Sequence, residues 1–329
     1  MSKYRGFLGF SIVFLLALTF FLPISHTKAA SLGESMVSYG KKFMGVPYVF
    51  GGTTPKGFDC SGFTQYVYKH HGVSIPRTTG EQYSVGTSVA KSELKPGDLV
   101  FFKNTYKQGI SHVGIYAGNN QVLNATTSKG IDLVSLSNSY WGPKYAGAKR
   151  LVDGKFNDVS KSNQAYEAIE DLTDKNIIQG FDDYSFKPDD PITRGQAAAL
   201  INRELKLQPK NISYFKDVPS TNRFAKDIAA MREAEIISGY PDQTYRPNNY
   251  ITRTEMAVIL QRAFELQLGS AAAAENKYKD ISSSYWAHDA IVAMKAIDET
   301  GVFKTSNYYG SDRATRAVFS AALYNAMNF

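Results

Sequence analysis

Gly57-Phe58-Asp59-Cys60-Ser61-Gly62-Phe63 holds the only cysteine of this 329-residue chain. The apolar residues Phe63, Tyr66 and Val67 fall at i, i+3 and i+4, so they share one face of a helix that begins near Ser61. Asp59 stands where an N-cap belongs. A thiol in the first turn meets the positive end of the helix dipole, which favours thiolate below the ordinary thiol pKa of about 8.5. The other role open to an unpaired cysteine is that of a small buried hydrophobe. These residues alone do not separate the two.

A thiolate nucleophile needs an imidazole to share its proton and a polar group to orient the ring. The chain has five histidines. His26 lies in an N-terminal apolar segment, and His288 lies in a C-terminal region of repeats that has no cysteine. His70 and His71 sit on the Cys60 helix, roughly 15 Å along its axis, and cannot reach back. His112 remains. Leu99-Val100-Phe101-Phe102, Ser111-His112-Val113-Gly114-Ile115-Tyr116 and Gln121-Val122-Leu123-Asn124-Ala125 read as short strands separated by turn residues. A hairpin centred on Gly118 sets His112 directly opposite Asn124, whose amide would then fix the imidazole tautomer.

Together with Gly45-Val46-Pro47-Tyr48-Val49-Phe50-Gly51-Gly52, Pro76-Arg77-Thr78-Thr79 and Lys95-Pro96-Gly97-Asp98-Leu99, these segments resemble the NlpC-type cysteine peptidases, papain-like enzymes of bacterial cell-wall turnover. The resemblance covers residues 31–152. It implies an α+β fold with the cysteine on a helix N-terminus and an antiparallel sheet carrying the histidine. It also implies Cys60 as nucleophile, His112 as base and Asn124 as orienter, where many relatives carry a second histidine. The implied reaction is hydrolysis of the peptide bond between D-γ-glutamate and meso-diaminopimelate or lysine in peptidoglycan stem peptides. Tyr48 would border the scissile bond, or serve only as a packed aromatic. Asp59 and Ser61 would help hold the stem peptide while also forming the first helical turn. Arg77 would meet a substrate carboxylate or stand in solvent as a surface arginine. The same fold can support amidase or acyl-transfer chemistry on other substrates.

The second half is built from repeats. Phe156-Asn157-Asp158-Val159, Phe215-Lys216-Asp217-Val218 and Tyr278-Lys279-Asp280-Ile281 open three units, and Ile192-Thr193-Arg194, Ile251-Thr252-Arg253 and Ala314-Thr315-Arg316 recur in step. Each unit reads as a helix, a turn, an Asp/Pro-rich loop and a second helix capped by its threonine. One helix pair buries little, so the three units should share a core. They resemble S-layer homology (SLH) domains, an all-α module that holds exported proteins on the cell wall, and give units 153–210, 211–272 and 273–329. By that resemblance Arg194, Arg253 and Arg316 meet an acidic secondary wall polysaccharide, since a guanidinium matches a carboxylate with two parallel N–H groups. The other role for such an arginine is to satisfy nearby carbonyls. In place of the common Ala-Glu after Thr-Arg, the chain has Gly195-Gln196, Thr254-Glu255 and Ala317-Val318. The third unit departs most.

Lys3 and Arg5, the apolar run Phe7 to Leu22 and the small residues near Ala29-Ala30 have the layout of a secretory signal peptide over residues 1–30. The expected product is a secreted, monomeric protein of the bacterial cell wall with no membrane span after cleavage. The chain carries net charge +7. Residues 30–152 hold 13 Lys and Arg against 6 Asp and Glu, and residues 153–329 hold 21 against 24. A basic first half is drawn to a polyanionic wall. Export and the lack of a matching motif argue against nucleic acid as its partner. No metal-ligand cluster or phosphate loop is legible, so no metal and no cofactor is implied. A non-catalytic wall-binding or surface-layer protein is the alternative from a different class, and the intact Cys60, His112 and Asn124 set favours the enzyme.

Overall fold

The computed structural model describes residues 29–269, 275 and 277–329. The signal-peptide expectation for residues 1–30 therefore lies almost wholly outside the described residues.

The first half opens with α1 (Leu32–Lys41), started by a capping box in which Ser31 and Glu34 satisfy each other's backbone amides. A two-residue hairpin, β1 (Thr53–Thr54) and β2 (Gly57–Phe58), leads into α2 (Cys60–His70). The short α3 (Thr79–Tyr83) follows. Six strands then form one antiparallel sheet: β3 (Thr87–Val89), β4 (Leu99–Lys103), β5 (Ile110–Gly118), β6 (Gln121–Thr126), β7 (Gly130–Ser135) and β8 (Tyr145–Arg150), in the order β3-β8-β4-β5-β6-β7. Strand periodicity divides the side chains. Leu99, Phe101, Val113, Ile115, Leu123 and Ala125 pack with Met36, Phe63 and Val67 of α1 and α2. Val100, Phe102 and Val122 face the other way, into a smaller cluster with Leu136 and Ala148.

The β5–β6 hairpin corrects the expected register. Ile115 pairs with Leu123, Tyr116 with Val122, and Gly118 with Gln121, so the turn residues are Asn119 and Asn120. Both have positive φ, 49° and 59°, as a two-residue type I′ turn requires and asparagine tolerates. Continuing the ladder sets Asn124 opposite Gly114 rather than His112. A side chain at Gly114 would collide there, since its Cβ would lie 2.7 Å from the Asn124 Cβ. His112 meets Asn124 on the diagonal.

In the second half each unit contributes two helices: α4 (Tyr166–Asp174) with α5 (Arg194–Leu205), α6 (Ala225–Glu233) with α7 (Arg253–Ala263), and α8 (His288–Ala296) with α9 (Arg316–Met327). Thr193, Thr252 and Thr315 cap the second helix of each. The opening aspartates act alike: Asp158 accepts from the Phe186 and Lys187 amides, Asp217 from Tyr245 and Arg246, and Asp280 from Tyr308 and Tyr309. Buried residues of all three units form one continuous core.

The units close into a ring. The Arg194 and Gly195 amides donate to Asn249 and Pro247 of the second unit, those of Arg253 and Thr254 to Asp312 and Gly310 of the third, and those of Arg316 and Ala317 to Asp190 and Pro188 of the first. No helix among the described residues is long and apolar enough to cross a membrane.

Candidate active site

Cys60 is the first residue of α2, and Asp59 caps that helix by accepting from the Gly62 amide at 2.6 Å. The thiol is buried, with Thr79 Oγ1 3.6 Å from Sγ and the Val113 amide within hydrogen-bonding reach. Burial pushes the thiol pKa up, against the lowering expected of the helix dipole, and outweighs the hydrogen bonds from Thr79 and Val113.

His112 is buried too. Its Nε2 lies 2.7 Å from Asn124 Oδ1. An amide oxygen only accepts, so Nε2 carries the proton and Nδ1 is left as the proton acceptor. The Asn124 Nδ2 group faces the Val122 and Asp132 carbonyls at 3.3 and 3.4 Å, which fixes the amide in that sense. Burial pushes the His112 pKa down to about 4, with the Asn124 hydrogen bond opposing. Both shifts disfavour the charged forms.

Trp141 packs over the His112 ring, with centroids 4.8 Å apart, and rests in turn on Phe102 at 4.9 Å. This indole covers the imidazole and strengthens its hydrogen bond to Asn124 by excluding water. Sequence reasoning passed over Trp141 and Thr79. Thr79 ended a matched segment, but Trp141 lay in a loop with no pattern of its own.

Asp59, Ser61 and Arg77 form one cluster. Arg77 donates from Nη1 to Asp59 Oδ1 at 3.1 Å and to Ser61 Oγ at 2.9 Å, and from Nη2 to Asp59 Oδ2 at 2.6 Å. Ser61 donates to Asp59, and the Gly51 amide adds a further bond to the same carboxylate. Arg77 is thus a bidentate ion-pair partner rather than a surface arginine. Tyr48 bridges to Phe58 and lines a cleft of about 470 Å³ that His112 also borders. Burial raises the Tyr48 phenol to about 12, and the proximity of Cys60 and Asp59 adds to that rise.

The repeat arginines occupy equivalent positions. Arg194 Nε donates to the Tyr245 carbonyl, Arg253 Nε to Tyr308 and Arg316 Nε to Phe186, each in the next unit of the ring. Each guanidinium also lies over the ring of that same aromatic residue. Their outer nitrogens differ. Arg194 Nη1 is held by Glu255 at 2.5 Å and Arg316 Nη2 by the Gln179 carbonyl at 2.8 Å, whereas Arg253 makes no such bond among the described residues. No group of three or more His, Cys, Asp or Glu side chains suited to a metal ion occurs among the described residues.

The chain thus carries a thiol at a helix start and, on an antiparallel sheet, an imidazole held by an amide. The NlpC/P60 family model matches residues 45–150, and the chain belongs to the NlpC/P60 family. The S-layer homology domain model matches residues 155–198 and 214–257. The chain is 44% identical over 131 residues to the protein named "Probable endopeptidase NlpC" of Escherichia coli (strain K12), covering 40% of this chain and 82% of that one. It is 49% identical over 124 residues to the gamma-DL-glutamyl hydrolase of Bacillus subtilis (strain 168), covering 37% of this chain and 30% of that one. The gamma-D-glutamyl-L-lysine dipeptidyl-peptidase of Bacillus cereus (strain ATCC 10987 / NRS 248) is 39% identical over 121 residues, 36% of each chain. The chain thus spans about a third of the length of those two Bacillus relatives.

Proposed function

We propose that this protein is a wall-tethered cysteine endopeptidase that hydrolyses the D-γ-glutamyl to diamino acid bond of peptidoglycan stem peptides. The observation that carries this reading is the 2.7 Å contact of His112 Nε2 with Asn124 Oδ1, which leaves Nδ1 to serve the thiol of Cys60. The names of the relatives point to the same bond.

In this reading the Cys60 proton passes to His112 Nδ1 as sulfur attacks the γ-glutamyl carbonyl carbon. The Cys60 backbone N–H at the helix start stabilises the oxyanion. The imidazolium then protonates the leaving amine, and water hydrolyses the thioester with His112 as base. Asp59, Ser61 and Arg77 take the acyl side, outside the cleft that His112 borders, and Tyr48 borders the scissile bond.

Residues 153–329 serve as the tether, and the third unit acts as an SLH repeat because Asp280, Tyr308 and Thr315 make the same bonds as their counterparts. Arg194, Arg253 and Arg316 face an acidic secondary wall polysaccharide in the grooves between units, with Arg253 the most available. The protein acts as a secreted monomer at the cell surface, where tethering raises its concentration at the substrate. The deciding experiment incubates purified peptidoglycan with the mature protein or with Cys60→Ala and reads released fragments by mass spectrometry. New γ-glutamyl ends are expected from the parent alone, and equal patterns would refute the reading.

A further inference from the structure

The cleft beside His112 has a side assigned by chemistry. In acyl transfer the imidazole returns its proton to the leaving amine, so the space against His112 receives the leaving group. This cleft, about 470 Å³, is lined by His112 and walled by Tyr48, Tyr106, Tyr140 and Trp141, while Cys60, Asp59, Ser61 and Arg77 are absent from its lining.

Among these walls stand two charged side chains of opposite sign, Lys129 and Asp132. Their Nζ and Oδ2 atoms are 3.6 Å apart. Both belong to the β6–β7 hairpin that holds Asn124. Asp132 pairs with Asn124 across β6 and β7, and its Oδ1 accepts from the Leu133 amide at 2.9 Å. Lys129 occupies the intervening turn, which Thr126 Oγ1 fixes by accepting from the Lys129 amide and donating to the Gly130 carbonyl. The charges are therefore placed relative to the imidazole by the sheet itself.

We infer that this cleft takes the side chain of the leaving diamino acid, and that Lys129 and Asp132 select one ending in both an ammonium and a carboxylate over one ending in an ammonium alone. The inference rests on the proposed hydrolysis. meso-Diaminopimelate is lysine with a carboxylate added to the carbon that bears the terminal ammonium. Such a terminus inserts into the existing ion pair, carboxylate to Lys129 and ammonium to Asp132, and turns one pair into two. A lysine side chain can reach Asp132 only by displacing Lys129, and leaves two ammonium groups close together.

The test compares L-Ala-γ-D-Glu-X peptides in which X is meso-diaminopimelate, its side-chain carboxamide or L-lysine, using kcat/KM of the full mature chain. The parent should favour the free carboxylate over the other two by about 10-fold, the scale of one charge-assisted contact. Lys129→Ala should level the carboxylate and carboxamide peptides by slowing only the former. Asp132→Asn should slow all three, because all carry the ammonium. Lys129 is largely exposed, at 73% for its side chain, so its removal should leave the melting temperature unchanged. Equal rates on all three peptides, a preference for lysine, or a preference that survives Lys129→Ala would each overturn the inference while leaving the hydrolase reading intact. Cleavage of none of them would overturn both.

Discussion

Buried polar side chains do opposite work in the two halves of this molecule. In the catalytic half, His112 and Asn124 are buried against each other, with the amide and the Trp141 ring holding the imidazole in one tautomer. In the repeat half, the buried Arg194 and Arg316 and the half-buried Arg253 each donate to a main-chain carbonyl of the next unit. The first arrangement orients; the second closes a ring. Similar burial thus predicts different losses: rate in one half, stability in the other.

The largest effect separates the halves outright. Cys60→Ala should reduce peptidoglycan hydrolysis by at least about 10⁴-fold, since nucleophile and base act as a unit, while wall retention stays at the parent level. Digestion and co-sedimentation assays on the same preparation check both. Loss of retention would show the halves to be coupled.

Arg316→Ala tests the other side. It strips a part-buried hydrogen bond from the Gln179 carbonyl and a buried one from Phe186, the latter at about 1–3 kcal/mol for a buried group left unsatisfied, and should lower the melting temperature of the repeat half. Asn124→Ala should instead cost about 10- to 100-fold in kcat/KM, the kinetic equivalent of one strong hydrogen bond, with a smaller change in melting temperature. If Asn124→Ala destabilises the protein more than Arg316→Ala, the comparison between orienting and closing fails.

Among the arginines, wall retention should fall most for Arg253→Ala, by about 10-fold, and less for Arg194→Ala, whose charge is already met by Glu255. Binding of fluorescent variants to purified wall measures the order, and the reverse order would refute the groove assignment.

The pH dependence bears on the catalytic half alone. The base must be neutral to accept the thiol proton, so kcat/KM should fall as the pH drops through about 4, the value to which burial pushes His112. The same depression acts on stability. Above 6.5 the imidazole is neutral folded or unfolded. Between 6.5 and about 4 the unfolded chain takes up the proton first, so stability drains as the pH falls, by roughly 3 kcal/mol in all. A pH–rate profile and acid unfolding monitored by circular dichroism check these. An acid limb near 6.5 would show that His112 is more hydrated than its burial implies.

Features resting on neighbours in sequence were legible. The Asp59 cap, the helix from Cys60, the threonine caps and the three-unit repeat each depend on a few consecutive residues and on helix or strand periodicity. His112 emerged because the other histidines were placed where they could not serve. Asn124 does meet His112, but not in the register its spacing suggested, for the Asn119-Asn120 turn shifts the ladder and Gly114 makes the room that the diagonal contact needs.

By itself the sequence determined which segments become helices and strands, where the thiol sits and how often the helix-pair unit recurs, because local spacing and capping decide those. Only the tertiary structure decided that Arg77 grips Asp59, that Trp141 covers His112, that burial pushes the Cys60 thiol up, and that Arg316 reaches back 130 residues to close the ring on Phe186. These depend on which distant surfaces meet, and on how much water their meeting removes.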